Sequence, residues 1–527
     1  MTELAAPPHR PTSDAPEAPH RHPGWTLLAV ALGVMMVALD GTVVSVANPT
    51  IQRDLHASLS GLQWVTNGYL LALAIALITG GKLGDRFGRR RLFAVGVIGF
   101  ALASLGCALS GSIGLLVIFR VVQGVAGAML MPNTLAILRA TFPPERLTRA
   151  VGIWGATSAL AVASGPIVGG LLVEHVSWES IFLLNLPLGL ITLIVTLTVV
   201  NESREAEVEK HFDFLGVGTL TGGLFLVIWA LIKAQSHAWL SAYVLGFGIA
   251  GLVCLALFVI REWRAASPML PLDIFRSRSV SAGTAMAVIG FIGLFGVLFF
   301  VTLYLQNVHG YSPVQTGVKM LPLTATFIVS PILGSVLTDK LGPRWPLMAG
   351  MLILAGAFFG LTGLEVHTSY GGQWPWFVLI GLSLGLVITS TTQAIVGNVP
   401  VDRGGVAGGL QSTAQQLGGV LGTSILGSII VSSVGSVLGA KLAAAGVHGQ
   451  VAQAVLAQKD LVGSGIAPVS AKMPVALQHA VTTASDSAFL HGLHTAMVVG
   501  AGLAIAGAVF GSLVQRGETP AEPGAMV

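Results

Sequence analysis

The stretch WTLLAVALGVMMVALDGTVVSVA, residues 25–47, decides how the rest of the chain is read. Its one charged side chain is Asp40. A helix needs roughly 20 apolar residues to cross the hydrocarbon core of a bilayer, and this run is long enough. Thirteen further segments of the same kind follow, at 61–81, 92–110, 112–133, 150–173, 179–200, 214–233, 240–260, 281–306, 317–338, 346–363, 375–397, 406–433 and 489–513. The predicted fold is an all-α membrane protein with fourteen transmembrane helices. Composition agrees: 53% of the 527 residues are hydrophobic and 9% are charged. Soluble domains carry about 25% charged residues, so lipid is the expected solvent for most of this chain.

Most of the 27 Lys and Arg residues fall in alternate connections, including Lys82, Arg86, Arg89, Arg139, Arg261 and Arg344. Cytoplasmic loops carry such an excess, so both termini are expected inside and 434–488 outside. The first 24 residues are polar and rich in Pro and His. They read as a disordered cytoplasmic tail, with no removable signal peptide; a second short tail follows at 514–527. The basic residues lie in short loops between apolar runs, which argues against a nucleic-acid partner. Cys107 and Cys254 sit singly inside apolar runs and read as packing residues.

A faint repeat points to two halves. Asp85-Arg86-Phe87-Gly88-Arg89-Arg90 follows the second span, and Asp339-Lys340-Leu341-Gly342-Pro343-Arg344 follows the tenth. Two six-helix halves, at 25–200 and 263–513, with a two-helix insert at 201–262 would place these loops equivalently. Repeated halves are a common transporter plan.

Asp40 is the one acid of 23 that these spans place well inside the membrane. A charge there is costly, about 2.5–3.5 kcal/mol on insertion scales, and such residues usually face a cavity or a partner. A carboxyl group deprived of water holds its proton more firmly, as a proton carrier requires. Arg120 lies at matching depth, roughly 10–12 Å below the outer surface at 1.5 Å per residue. The alternative roles are a structural ion pair or a place near the outer surface that reaches water for Asp40, and carbonyl bonding for Arg120. Lys319, at the outer end of the tenth span, reads as snorkelling to the interface. Gly165, Pro166, Gly169 and Gly170 punctuate the fifth span, either for close helix packing or for a hinge. Asn67, Tyr69, Gln123, Gln306, Gln411, Gln415 and Gln416 are polar groups at or near membrane depth. They line a substrate cavity or bridge helices. No phosphate-binding loop is present, since Gly81-Lys82 is followed by Leu83. No His is placed mid-span and no metal or catalytic constellation appears, so an enzyme, a metal and a cofactor are not expected.

With these motifs assembled, the chain resembles the fourteen-span drug:proton antiporter family of the major facilitator superfamily, over about 25–513. Leu39-Asp40-Gly41-Thr42 through Asn48-Pro49 is similar to that family's first-helix motif, with Ser45 where Asn is usual. Gly81 through Arg90 copies the superfamily's loop signature, in which Gly81, Asp85, Arg86, Gly88 and Arg89 stand as conformational residues. Arg120-Val121-Val122-Gln123-Gly124 resembles the fourth-helix motif, whose Arg is implicated in proton transfer. Gly165-Pro166-Ile167-Val168-Gly169-Gly170 resembles the antiporter motif, although Ala161 replaces a usual Gly. Trp178, Asn185 and Pro187, and Tyr304 through Pro322, resemble the fourteen-span branch. Ser412-Thr413-Ala414-Gln415-Gln416 departs from an Asn-Thr-any-Arg-Gln run, which implies a different pocket charge.

The resemblance implies a proton-coupled antiporter that exports small amphipathic compounds by alternating access. A monomer in a bacterial plasma membrane is expected, with Asp40 and Arg120 coupling the proton. With no second acid expected at depth, neutral or weakly anionic substrates are favoured. A metabolite exporter or facilitator, or a transport-inactive sensor, are the alternatives.

Overall fold

The computed structural model describes residues 22–204, 213–234, 237, 239–265, 268, 270–399, 404–470 and 472–515. Both expected tails, and basic residues such as Arg403 and Arg516, lie outside the described residues apart from the few tail positions within those limits. The helices are α1 (Pro23–Asp54), α2 (Leu59–Phe87), α3 (Arg89–Ala108), α4 (Ile113–Thr141), α5 (Pro144–His175), α6 (Ser180–Leu183), α7 (Asn185–Val199), α8 (Phe214–Lys233) and α9 (Ala242–Arg264). They continue with α10 (Arg278–Leu303), α11 (Pro313–Lys319), α12 (Leu321–Leu341), α13 (Arg344–Leu361), α14 (Tyr370–Val396), α15 (Gly404–Ala444), α16 (Gly449–Ala457), α17 (Lys459–Val462) and α18 (Val475–Gly511). Fourteen helices among the described residues are long and apolar enough to span a membrane, with α6 and α7 counting as one span. No strand occurs among the described residues.

Local chemistry sets the limits. Ser58, Ser112, Ser241 and Ser277 each accept a hydrogen bond from a backbone N–H in the first turn of the helix they open, satisfying a donor that the helix leaves free. Pro187 has no N–H for the carbonyl of Leu183, where α6 stops. Gly88 (φ +107°) and Gly342 (φ +78°) end α2 and α12 with a left-handed turn that glycine tolerates. Each closes the last helical turn on the carbonyl four residues back. The two loops paired by sequence thus share one cap geometry.

Two expectations on length change. The stretch 434–488, expected outside, is largely helical: α15 continues to Ala444 and α18 starts at Val475. Val434, Leu438 and Leu442 form a buried row on α15, and Val481, Ala484 and Ala488 another on α18. Rows at helical spacing bury a face even where small residues dilute the hydropathy. Lys319 closes α11 rather than sitting in a span, because the spanning helix restarts at Leu321 with Pro322 in its first turn.

Helices α1–α7 pack as one group and α10, α12–α15 and α18 as another, with α11 of the second half lodged mainly against α5; α8 pairs with α9 and rests on the seam between α2 and α15. Trp64 of α2 lies 5.5 Å from Phe225 and 5.9 Å from Trp229 of α8. The end carrying Arg86, Arg89 and Arg344 is here termed the basic end, and the opposite one, with Arg53 and Lys441, the charge-poor end. Three hydrogen bonds across the seam lie towards the charge-poor end, while Thr413 Oγ1 donates to Ala74 O at 3.4 Å nearer mid-depth and Lys82 Nζ to Pro268 O at 3.3 Å at the basic end. Gln63 Nε2 donates to Thr423 O at 2.8 Å, Asn67 Nδ2 to Ser424 Oγ at 2.9 Å and Gln306 Nε2 to Val46 O at 3.0 Å.

Candidate functional site

Asp40 and Arg120 meet. Arg120 Nη1 donates to Asp40 Oδ2, and both side chains are essentially without solvent exposure. Gln123 Nε2 and Asn185 Nδ2 donate to the other carboxylate oxygen at 2.8 and 3.1 Å. Arg120 also donates through Nε to Val65 O at 3.0 Å and through Nη1 to Gln123 Oε1 at 2.7 Å. The Tyr69 ring lies 4.1 Å from the guanidinium carbon, and its hydroxyl donates to Val37 O at 2.8 Å. Ser104 closes the cluster, accepting from Gln123 and Asn185 and donating to Phe100 O. Five polar side chains from α1, α3, α4 and α7 therefore share one dry site inside the first half. A charge in such a place is stable only when paired and fully bonded, and here it is both. Every group facing Asp40 is a donor, which is the pattern of a carboxylate.

The α5 motif builds a seal. A side chain at Gly165 would run into Thr42 of α1, and one at Gly169 into the carbonyl of Val43. Thr42 Oγ1 donates to Val162 O at 3.1 Å, tying α1 to α5 two residues along from Asp40. On its other side α5 meets α11 backbone to backbone. A Cβ on Gly170 would lie 2.5 Å from Pro313 O, and one on Gly317 would lie 2.5 Å from Pro166 O. Small residues are what permits this approach. Glu174 Oε2 accepts from Val314 N at 2.8 Å beside it. At the other end of α5, side chains at Gly152 and Gly155 would meet open space. The halves are thus closed at the charge-poor end.

The loop after α2 is docked within its own half. Asp85 Oδ1 accepts from Arg89 Nε and Nη2 at 2.9 and 2.8 Å. Glu202 accepts from Arg90 N at 3.1 Å, and Arg90 Nη2 donates to Leu197 O. Arg86 stacks on Phe87, 5.4 Å from the ring centre, and Gly81 faces Pro132 at ordinary contact. A side chain at Gly84 would strike Asn133 of α4, so this glycine lets α2 and α4 touch.

Of the cavity candidates, Gln123 belongs to the buried charged cluster and Tyr69 of α2 stacks on its arginine. Asn67 and Gln306 bridge the halves. Gln411 Nε2 donates to Thr392 Oγ1 at 2.8 Å. Gln415 and Gln416 are half-buried and make no hydrogen bond with the described residues. Sequence reasoning missed Ser104 and gave Asn185 no role; both are lone polar residues in apolar spans, and their level relative to Asp40 could have flagged them. It also missed Asp486, buried on the extension of α18 that was expected to be a loop.

Fourteen spanning helices, twelve of them in two packed groups and one group holding a dry ion pair, define a polytopic membrane protein. Residues 30–423 match the Major Facilitator Superfamily, and the chain belongs to that superfamily. It is 45% identical over 496 residues to the tetracenomycin C resistance and export protein of Streptomyces glaucescens, covering 94% of this chain and 92% of that one. It is 33% identical over 486 residues to the multidrug efflux pump LfrA of Mycolicibacterium smegmatis, covering 92% and 95%. These relatives make it a drug-efflux member of the superfamily. In fold it is similar to a bacterial homologue of the human lysosomal transporter Spinster in its inward-facing, occupied conformation, with a TM-score of 0.64, 19% identity and coverage of 96% of this chain and 100% of the other.

Proposed function

We propose that this efflux transporter exchanges small amphipathic compounds for protons by alternating access, as a monomer. The observation that carries the reading is the buried Asp40–Arg120 pair with its bonded neighbours Gln123, Asn185 and Ser104. Asp40 carries the proton; Arg120 is the cation whose approach or retreat decides whether the proton stays. The sealed charge-poor end fits a state open towards the basic end, which the charge bias assigns to the cytoplasm. The half at 25–200 then rocks against the half at 263–513, with 201–262 as the insert. Each proton moving inward brings about 2.3 kcal/mol per 100 mV of potential and about 1.36 kcal/mol per pH unit. At 100 mV alone, one or two protons therefore sustain gradients of tens- to thousands-fold.

The neutral amides Gln415 and Gln416, free of internal partners, support neutral or weakly anionic substrates. Two relatives, named for tetracenomycin C export and for multidrug efflux, support export as the direction. The test is Asp40→Asn in proteoliposomes with a panel of neutral, anionic and cationic aromatic compounds. Uphill transport driven by a pH gradient should vanish while downhill exchange of preloaded compound persists. Pumping by Asp40→Asn at the wild-type rate would place the proton on another residue.

A further inference from the structure

The paired loops at the basic end spend their arginines differently. In the first, Arg89 holds Asp85, Arg90 reaches Leu197 O and Arg91 lies 3.6 Å from Glu202. In the second, Pro343 stands where the first loop has Arg89, so the pair with the acid of the motif is lost. Arg344 makes no ion pair with any described residue, and neither does Arg278, which opens α10. Both line one pocket of about 450 Å³, walled further by Leu341, Trp345, Leu513 and Gln515. No carboxylate is among its lining residues. Arg344 also opens α13, and the first turn of a helix adds a partial positive charge.

The apolar rim of the pocket runs onto the outer faces of two spanning helices. Leu341, Trp345 and Leu513 are exposed, and apolar exposure continues along α13 through Leu352 and along α18 through Val509 and Phe510. Exposed tryptophan at the end of a span marks the interfacial layer of a bilayer. Arg344 stacks on Trp345, 5.3 Å from the ring centre, yet neither guanidinium has an ion pair; two such groups at that level call for an anion, and their planar forks suit the oxygens of a phosphodiester. We propose that this pocket binds the headgroup of an anionic phospholipid, with the acyl chains lying along α13 and α18. The bound lipid ties together α10, α13 and α18 of the second half at the end where the halves part.

The test uses the full chain in dodecyl maltoside, titrated with phosphatidylglycerol, phosphatidylcholine or inorganic phosphate and read by native mass spectrometry. Phosphatidylglycerol should bind in preference to phosphatidylcholine. A basic residue near an anionic lipid surface contributes about 1 kcal/mol, so Arg278→Gln or Arg344→Gln should weaken binding about fivefold and the double variant roughly thirtyfold. Arg276→Gln removes an exposed arginine two residues away and outside the pocket, and it should bind as wild type does. The single variants keep the comparison available if the double variant fails to fold. Three results would overturn the proposal: equal binding by wild type and the arginine variants, an equal loss in Arg276→Gln, or displacement of the lipid by inorganic phosphate at matched concentration.

Discussion

Replacing Gly317 by Ala should open the charge-poor seal. The glycine faces Pro166 of α5, and a Cβ would stand 2.5 Å from its carbonyl oxygen and 3.0 Å from its carbonyl carbon. Neither neighbour is a side chain that can rotate away. To restore ordinary contact at 3.4 Å or more, the two backbones must part by about 0.9 Å. Overpacking of this kind costs about 1–3 kcal/mol. The cost falls only on the state in which α5 and α11 touch, so the sealed state should lose roughly 5–150-fold in population against the open one. Gly170→Ala is the reciprocal change, against the carbonyl of Pro313. Once either alanine has parted the backbones the other finds room, so the double variant should add little to the single. Gly152→Ala on the same helix meets open space and serves as the control. Spin labels on Val176 and Gln315, one on each side of the seal, report the separation by pulsed electron resonance, and pH-driven efflux from proteoliposomes reports the consequence. The short-distance population should fall and uphill efflux should drop, with Gly152→Ala unchanged. A Gly317→Ala protein with the wild-type distance distribution and efflux would refute the seal.

Further outcomes concern charged and titratable groups. Arg120→Ala leaves the Asp40 carboxylate buried with two neutral donors, which should destabilise the protein by about 3–5 kcal/mol; adding Asp40→Asn should recover much of that in thermal unfolding in detergent. Arg120→Lys offers no planar fork for Val65, Asp40 and Gln123 together, so it should express yet export poorly in vesicles. His309 lies outside the spans, where burial, helped by Lys319 and His367, holds its imidazole below the ordinary value of 6.5. Its folded form takes a proton less readily than its unfolded form, so the stability it contributes is full above pH 6.5 and declines as the pH falls below it. His309→Gln should therefore flatten the decline of the unfolding temperature between pH 7 and pH 5; an unchanged slope would assign that decline to other groups.

Much of the fold was legible because a spanning helix declares itself by length alone. The first, fourth and fifth spans start and stop within a few residues to a turn or two of their expected limits, since polar caps such as Ser112 interrupt apolar runs abruptly. The stretch 434–488 was not legible for the opposite reason. Its buried rows of Val, Leu and Ala are interleaved with Gly, Ser and Lys, so mean hydropathy falls while helical spacing persists. Asp486 was missed with it. Within the site, depth counting placed Asp40 and Arg120 at one level, and the structure joins them. Counting gives height but not azimuth. Nothing in the sequence said that Gln123 would turn to Asp40 rather than to a cavity, or that Asn67 would reach across to Ser424 of α15. Those contacts depend on how helices are rotated about their axes, which packing decides.

The charged cluster and the seal touch through one helix. Asp40 and Thr42 are neighbours on α1; Asp40 is held by α4 and α7, and Thr42 by Val162 of α5. Gly165 and Gly169 bring α5 onto that stretch of α1, and Gly170 and Pro166 bring the same helix onto α11 of the other half. Neutralising Asp40 under the proposed exchange weakens three bonds that fix α1 against α4 and α7. The rigid joint between α1 and α5 then carries any shift of α1 to the α5–α11 contact, where the close approach of two backbones leaves no slack. A packed joint of this kind has discrete arrangements rather than a continuous range. The physical demand on the sequence is therefore small residues at α5 positions 165, 169 and 170 and a bonded carboxylate at position 40, four points within a single stretch of contact.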